Sequence, residues 1–224
     1  MAVVKGILGR KLGMTQLFDE QGQVVAATIV EAGPCVVVQR RTRERDGYDA
    51  VQLGYGEIRE KHVNRPMKGH FEKAKAGGVT PRRVLSEFRL AAYEGLEVGS
   101  EIKAEVFKPG ERVSVAGTTK GKGFSGVFRR YRAHGGPATH GSMFHRRPAS
   151  AGATDAARVF KGTKRPGHHG AKRYTTRGLR VMEVHPEKNL LVLEGAVPGA
   201  NGGLLRITVP VLRPRRLAKV KLIS

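Results

Sequence analysis

Hydrophobic and polar residues alternate in short runs towards both ends of the chain, and this alternation is missing from its middle. Runs of this length, rich in Val and Ile and bounded by Gly, Pro and Asn, are typical of β-strands. Because no convincing helix separates the first five runs, the pattern favours an antiparallel barrel or meander over a parallel sheet. The predicted strands are 3–8, 14–18, 23–31, 35–40, 48–55, 101–107, 111–116, 179–185, 189–194 and 204–209.

Turn-forming residues set the expected boundaries between several of these strands. Gly9-Arg10-Lys11 is expected to form a basic turn between the first two. Pro109-Gly110 is a strong turn signal between two alternating runs. We therefore predict a hairpin in which 101–107 pairs with 111–116.

The stretch 57–95 changes character, because cations, histidines and glycines interrupt its periodicity. We expect it to be irregular, with room for a short helix around 71–76. Residues 82–88 suit either a helix that begins after Thr80-Pro81 or an extended segment.

The middle of the chain, 118–180, is dominated by positive charge. It holds fifteen Lys and Arg, five His and eleven Gly against one acid, Asp155, which gives a formal charge of +14 in 63 residues. The other 161 residues carry 26 Lys and Arg against 18 acids. This stretch has too few apolar residues to form a core of its own. A segment of this length without a clear helix or strand is also unusual in a compact domain. We expect an insertion between barrel strands that a polyanionic partner orders.

The composition of the whole chain agrees with a polyanionic partner. The 224 residues carry a formal charge of +22, with a pI near 10.8, which suits RNA, DNA or an anionic membrane surface. No run of about 20 apolar residues and no signal-peptide pattern occurs. The single cysteine, Cys35, excludes an internal disulfide framework and is interpreted as a core residue. These features fit a reducing compartment.

A glycine motif in the middle of the chain, Gly121-Lys122-Gly123-Phe124-Ser125-Gly126, matches the G-x-G-x-x-G pattern of nucleotide-binding loops. No helical pattern follows it, and no acid stands about 20 positions on to contact a ribose. No kinase catalytic-loop motif occurs later. We interpret these glycines as turns that bring the backbone, with Lys120 and Lys122, close to a phosphate chain.

Five histidines in the same stretch raise the question of a metal site. No Cys and only one carboxylate accompany them, and neighbouring guanidinium groups would oppose a cation. Hydrogen bonding and stacking to nucleotides is the favoured role. No serine has a base and an acid at recognisable spacing, and no paired carboxylates occur there, so catalysis is not expected. We predict no metal, no other cofactor and no enzymatic activity.

Cation doublets recur through this stretch, at Arg129-Arg130, Arg146-Arg147 and Lys164-Arg165. A solvated protein face would also carry such charges. Here they alternate with Gly, His and aromatic residues, which combines phosphate neutralisation with rings for stacking. That combination is typical of RNA contact.

Six motifs follow one another along nearly the whole chain. They are Ile7-Leu8-Gly9-Arg10-Lys11-Leu12-Gly13-Met14-Thr15-Gln16, Asn64-Arg65-Pro66 with Gly69-His70-Phe71, Thr118-Thr119-Lys120-Gly121-Lys122-Gly123-Phe124, His140-Gly141 with His145-Arg146-Arg147-Pro148, Arg158-Val159-Phe160-Lys161-Gly162, and Gly195-Ala196-Val197-Pro198-Gly199. Their order and spacing resemble the family of the universal third protein of the large ribosomal subunit. Each motif alone is weak, and together they are specific.

The resemblance implies a mainly β fold, a six-stranded barrel of the translation-protein type with a long basic loop inserted between barrel strands. On this basis 1–117 and 178–211 form the barrel body, which includes the basic insertion 57–95. Residues 118–177 form the loop, and 212–224 form a basic C-terminal tail.

The resemblance also implies a structural role in the large ribosomal subunit, in a cytoplasmic or organellar ribosome. The protein would bind large-subunit RNA, nucleate assembly near its 3′ end and support the peptidyl transferase centre, next to the fourteenth and nineteenth large-subunit proteins. Neither a membrane nor a small-molecule substrate is an expected partner. A free-standing nucleic-acid-binding protein or RNA chaperone stays open as the alternative.

The residues that would contact ribosomal RNA are drawn from the first motif and the central loop. They are Arg10, Lys11, Lys120, Lys122, Arg129, Arg130, Arg132, His134, His140, His145, Arg146, Arg147, Arg158, Lys161, Lys164, Arg165, His168, His169, Lys172 and Arg173. Those at the loop tip, towards the peptidyl transferase centre, would be Ser150, Ala151, Gly152 and Ala153.

Some positions depart from the family pattern. Bacterial members commonly carry Gly-Ser-Ile-Gly-Gln near the loop tip, and the Gln can be methylated. The matching run here is 149–153, which ends in Ala153 and lacks that acceptor. The run 141–145 is about one residue short, and Tyr131 stands where Trp is usual.

Overall fold

The computed structural model describes residues 6–74, 78–89, 96–148, 150 and 152–209. Within them the strands are β1 (Gly6–Phe18), β2 (Val24–Ala32), β3 (Cys35–Arg41), β4 (Ala50–Glu57), β5 (Arg82–Arg89), β6 (Glu101–Ile102), β7 (Arg112–Thr118), β8 (Phe124–Ser125), β9 (Gly167–His168), β10 (Arg173–His185), β11 (Leu190–Glu194) and β12 (Leu204–Thr208). The α-helices are α1 (Arg43–Asp46), α2 (Arg65–Ala74) and α3 (Val127–Tyr131). Short 3₁₀ turns lie at Glu60–His62, Ala104–Val106, Thr154–Ala156 and Pro186–Lys188.

The chain divides into two compact units. The first consists of 1–118 and 174–224, and the second of 119–173. The predicted loop had slightly wider limits, 118–177. We call the second unit the extension.

Six strands of the first unit close into a barrel in the order β1-β12-β7-β10-β11-β2, with antiparallel neighbours. Alternation along each strand sends β-branched and Leu side chains inward, where they lose contact with water. Ile7, Val115, Leu193 and Ile207 lie in this core and are fully buried. The predicted mainly β fold with a six-stranded barrel is therefore confirmed.

Strand β1 continues through Gly9-Arg10-Lys11, where the sequence predicts a turn. Gly9 and Arg10 pair with β12 on one side and with β2 on the other, so both edges of this segment are hydrogen-bonded. The irregularity is limited to a register shift between Lys11 and Gly13. The turn prediction is wrong because pairing on two sides outweighs the local preference of a Gly and two cations.

The predicted hairpin of 101–107 with 111–116 is also wrong. Of the run 101–107, only Glu101–Ile102 is a strand. It pairs with β3, which is not one of the barrel strands. A 3₁₀ turn follows at Ala104–Val106, whereas β7 pairs with β12 in the barrel. Alternation identifies which face of a strand is buried, but it does not identify the partner strand.

A second, four-stranded sheet has the order β5-β4-β3-β6, with antiparallel neighbours. Of the first four strands, β1 and β2 therefore belong to the barrel, whereas β3 and β4 belong to this sheet. Its strand β3 is buried on both faces, which accounts for its continuous Val run. Cys35 and Val37 belong to the main core, whereas Val36 and Val38 belong to a smaller cluster.

The stretch 57–95, expected to be irregular, contains helix α2 and strand β5 in its described part. Helix α2 begins at Arg65, earlier than the helix expected around 71–76, and buries Phe71 and Ala74 against Val36 and Val38. Residues 82–88 are extended, because β5 pairs with β4 along its length. Burial of one apolar side of α2 decides its structure despite the weak periodicity.

Cys35 is fully buried, and its Sγ lies 3.4 Å from the carbonyl oxygen of Leu8. Burial raises the pKa of the thiol to about 12, from 9.0. Cys35 is therefore a core residue, as the sequence indicates. Among the described residues, no helix has the length and apolar character needed to cross a membrane.

Candidate nucleic-acid interface

The extension begins and ends in two segments that pair with each other, 119–125 and 167–172, which we call the neck. Backbone hydrogen bonds join Thr119 N to Lys172 O at 3.0 Å, Lys122 N to His169 O at 2.8 Å and His169 N to Gly123 O at 2.9 Å. Strands β8 and β9 continue this antiparallel pairing at Phe124–His168 and Ser125–Gly167. The neck therefore holds the two ends of the extension together.

Helix α3 follows the glycine motif directly, which corrects the prediction that no helix follows it. The helix has five residues and ends at Tyr131, and the next residue, Arg132, has a left-handed conformation (φ 55°). The strand before it, β8, pairs antiparallel with β9, whereas a dinucleotide-binding turn needs a parallel βαβ unit. The motif does not form a dinucleotide site.

Guanidinium groups of the extension lie over aromatic rings. The Cζ atom of Arg146 is 4.6 Å from the centroid of Phe128, and that of Arg158 is 5.2 Å from Phe160. Arg130 lies over Tyr131 at 5.1 Å, and its Nη1 donates to the carbonyl oxygen of Arg165 at 2.7 Å. Such contacts orient planar cations without neutralising them.

Among the residues that the structure describes, no carboxylate pairs with a cation of the extension. The extension contains thirteen Lys and Arg and one acid, Asp155. No ion pair occurs among its described residues, 119–148, 150 and 152–173. In the first unit, by contrast, Arg41 pairs with Glu87 at 2.7 Å and Arg180 with Glu194 at 3.0 Å. The extension therefore presents uncompensated positive charge to its surroundings.

Most residues predicted to bind RNA are exposed in the structure. Arg130 and His169 are half-buried, and Lys11 is buried. The exposed ones are Arg10, Lys120, Lys122, Arg129, Arg132, His134, His140, His145, Arg146, Arg147, Arg158, Lys161, Lys164, Arg165, His168, Lys172 and Arg173.

Lys11 differs from the other predicted RNA-binding residues. It is 7% exposed, and its Nζ donates to the carbonyl oxygen of Val197 at 3.3 Å. Its backbone also bonds to Gly202 and Gly203. These contacts tie β1 to the segment before β12, while the neighbouring Arg10 faces solvent.

The ring of one histidine of the extension, His145, makes a hydrogen bond, whereas the buried Nδ1 of His169 has no hydrogen-bond partner among the described residues. The Nδ1 of His145 lies 3.1 Å from the carbonyl oxygen of Pro137. Burial lowers the pKa of His169, and the nearby cations Lys122 and Arg129 lower it further, which favours a neutral ring. In the described part of the chain, no group of three His, Cys, Asp or Glu side chains could hold a metal ion.

The predicted loop tip is described at three of its four positions, since Ala151 lies outside the described residues. Ser150, Gly152 and Ala153 are exposed. The hydroxyl of Ser150 donates to the carbonyl oxygen of Gly152 at 2.9 Å. The predicted basic tail, 212–224, lies entirely outside the described residues.

The extension also contains a cleft that the sequence does not predict. It has a volume of about 380 Å³, and its lining includes Phe128, Phe144, Arg147, Lys164 and Arg165. These residues come from segments far apart in sequence, so no local motif could mark it. The nearest sequence signal is the Gly135-Gly136 doublet, which also lines it.

The fold and the extension together define a class of protein, a basic β-barrel protein that carries a polycationic extension. The ribosomal protein L3 family matches residues 68–191 of the chain. The large ribosomal subunit protein uL3 of Carboxydothermus hydrogenoformans is 54% identical over 203 residues, which cover 91% of this chain and 96% of that protein. The chain belongs to the ribosomal protein L3 family.

Family membership settles two expectations from the sequence. The resemblance to this family is confirmed, although each motif that carried it is weak alone. The family is structural and non-enzymatic, so the chain is a structural ribosomal constituent and not an enzyme. The roles of individual residues stay predictions.

Proposed function

We propose that this chain is a structural constituent of the large ribosomal subunit and that its extension binds large-subunit ribosomal RNA. The name of the Carboxydothermus relative supports the choice of subunit. In this proposal the barrel unit is the body, and the extension, 119–173, is the segment that follows the RNA. Lys11 belongs to the packing of the barrel, and Arg10 remains an RNA-contact candidate.

One observation carries the RNA-binding proposal, which is the uncompensated charge of the extension. Thirteen cations with one acid and no ion pair among the described residues need counter-charge from a partner. Ribosomal RNA supplies phosphates for the cations and unstacked bases for exposed rings such as Phe124, which is 80% exposed. A lipid surface would supply the charge but not the bases.

The finer part of the proposal rests on the family resemblance alone. In this view the protein binds near the 3′ end of large-subunit RNA early in assembly, in a cytoplasmic ribosome. Ser150 to Ala153 support the peptidyl transferase centre, where small side chains allow close approach to RNA. The fourteenth and nineteenth large-subunit proteins are its neighbours.

A truncation tests the RNA-binding role. Ser125 and Gly167 are paired, so a short Gly-Ser linker can replace 126–166 while the neck and barrel stay in place. The change removes nine of the thirteen cations. If each contacts one phosphate, the slope of log K against log salt falls by roughly six to eight. Filter binding to large-subunit RNA over a salt series measures that slope.

Two controls make the truncation decisive. Thermal unfolding of the truncated chain should match that of the full chain, which shows that the barrel is intact. Co-sedimentation of the full chain with large subunits through high salt separates a constituent from a loosely bound chaperone, which would be stripped. Equal RNA affinity of truncated and full chains would refute the role of the extension.

A further inference from the structure

The cleft of the extension has the size of a small-ligand site. Its volume of about 380 Å³ lies in the lower part of the range for ligand pockets, roughly 300–1,000 Å³. A duplex cannot enter a space of this size, because its bases stay stacked inside two strands. One unstacked nucleotide can enter, and its base would leave the helix to do so.

The lining of the cleft combines aromatic surface with positive charge. Phe128 and Phe144 contribute rings, and Phe144 is 59% exposed, so its ring is accessible. Arg147, Lys164 and Arg165 contribute the cations, and no carboxylate is found among the described residues that line the cleft. The occupant favoured by this lining has a flat apolar part and a negative part, as a nucleotide does.

Backbone contacts hold the walls of the cleft in place. The amide of Gly136 donates to the carbonyl oxygen of His145 at 3.2 Å. A Cβ atom at Gly135 would lie 2.5 Å from that oxygen and 3.0 Å from the ring of Phe128, so only glycine permits this approach. The carbonyl oxygen of Arg165, another lining residue, accepts a hydrogen bond from Arg130 Nη1 at 2.7 Å. A site held in this way loses little entropy when it binds.

We propose that this cleft receives one extruded nucleotide of the bound RNA, with the base against Phe144 and the phosphate facing Arg147, Lys164 and Arg165. This proposal rests on the proposed RNA-binding function and adds a mode of recognition to it. The extension neutralises phosphates along its length, and at the cleft it selects an unpaired base. Duplex RNA lying across the cations, with no base in the cleft, is the competing arrangement.

Two substitutions test the cleft without removing a cation. Ala133→Phe fills it, because Ala133 is part of its lining. Phe144→Ala removes an exposed stacking ring. The matched controls are Ala138→Phe and Phe18→Ala, which alter exposed residues outside the lining. All four keep the net charge of the chain, so a difference between the pairs reports on the cleft.

The measurement is chemical probing of unpaired bases in the complex of full chain and large-subunit RNA. We expect one or two unpaired nucleotides, protected by the wild-type chain, to become reactive with both cleft variants and to stay protected with both controls. RNA affinity should fall by about tenfold with the cleft variants, as expected for one lost stacking contact.

Other outcomes overturn the proposal. An unchanged base footprint with the cleft variants, while RNA stays bound, refutes the extruded nucleotide. Changes confined to paired regions support the duplex arrangement instead. Tight binding of a free nucleoside monophosphate to the wild-type chain, with no protected base in the complex, assigns the cleft to a free ligand. Failure of the wild-type chain to bind RNA refutes the proposed function itself and is visible before any variant is compared.

Discussion

Lys11 and Arg10 are consecutive cations of β1 with opposite surroundings. Arg10 is exposed, whereas Lys11 is 7% exposed and bonded through Nζ to the carbonyl oxygen of Val197. A buried ammonium group is stable only where neighbouring groups accept hydrogen bonds from it and where the stem of the side chain packs against apolar atoms. Within one motif, Lys11 therefore has a structural role, whereas Arg10 is left free for the proposed contact with RNA.

Substitution of each residue should affect a different property. We expect Lys11→Ala to lower the free energy of unfolding by about 1–3 kcal/mol, because it removes a buried stem and leaves the Val197 carbonyl oxygen without its donor. Lys11→Met should recover most of this loss, since it restores the stem. Neither change should alter the salt dependence of RNA binding. Chemical denaturation and filter binding measure the two properties.

Arg10→Ala is the matched comparison. Its stability should stay within about 0.5 kcal/mol of the wild type, because the side chain is exposed. For RNA binding, the slope of log K against log salt should fall by about one if the guanidinium group contacts a phosphate. A smaller salt slope for Lys11→Met would instead place the Lys11 ammonium group on RNA, contrary to the structure of the free chain.

At the scale of elements, the neck depends on the close approach of two segments. Gly170 has a φ of 76°, in the left-handed region that favours glycine. A Cβ atom there would overlap the carbonyl oxygen of Lys120. The hydrogen bonds from Lys122 N to His169 O and from His169 N to Gly123 O lie next to this contact in the chain.

Gly170→Ala should therefore open the neck. We expect hydrogen exchange at the amides of Lys122 and His169 to accelerate by about a hundredfold or more, which corresponds to roughly 3 kcal/mol of lost local stability. Barrel amides such as that of Ile207 should not change. Gly162→Ala is the control, because Gly162 has a φ of 87° but open space around it. Equal acceleration in both variants would show that backbone strain alone, without overlap, weakens the neck.

The elements show which parts of the fold the sequence could predict. Alternation located nearly all barrel strands, because burial of one face leaves a period of two. It failed at 101–107, where most of the run is not a strand, and at α2, whose buried face rests on only a few residues. Partner choice depends on contacts between distant segments, which local patterns do not encode.

For the candidate site, too, some features could be predicted from the sequence and others could not. Charge counting found the extension, because charge excess is a property of composition and needs no partner strand. The first motif of the family resemblance assigned Lys11 to RNA, since burial cannot be read from a single residue in a basic motif. The cleft was missed entirely, because Phe128, Phe144 and Lys164 meet only after the extension folds.

At the scale of the whole molecule, charge is divided unequally between the two units. The extension has a formal charge of +12 in 55 residues, from thirteen cations and one acid, out of +22 for the chain. The first unit balances part of its charge in ion pairs and holds the apolar core. Stability therefore belongs mainly to the first unit, and we expect the extension to be stabilised by the RNA that it is proposed to bind.

This division predicts how protease attacks the whole chain. Trypsin cleaves after Lys and Arg, and exposed segments without a core are cut first. We expect the early cuts in the free chain to fall within 119–173 before the barrel strands are cut, and large-subunit RNA to suppress them. Mass spectrometry of a time course locates the cuts.

Heparin is the control, because it supplies negative charge without bases. At elevated salt, protection of the chain by heparin should fade, whereas protection by RNA should persist. Early cuts in β1 or β12 would contradict the expected difference in stability between the two units. Equal protection by both polyanions would contradict an RNA interface that depends on bases as well as charge.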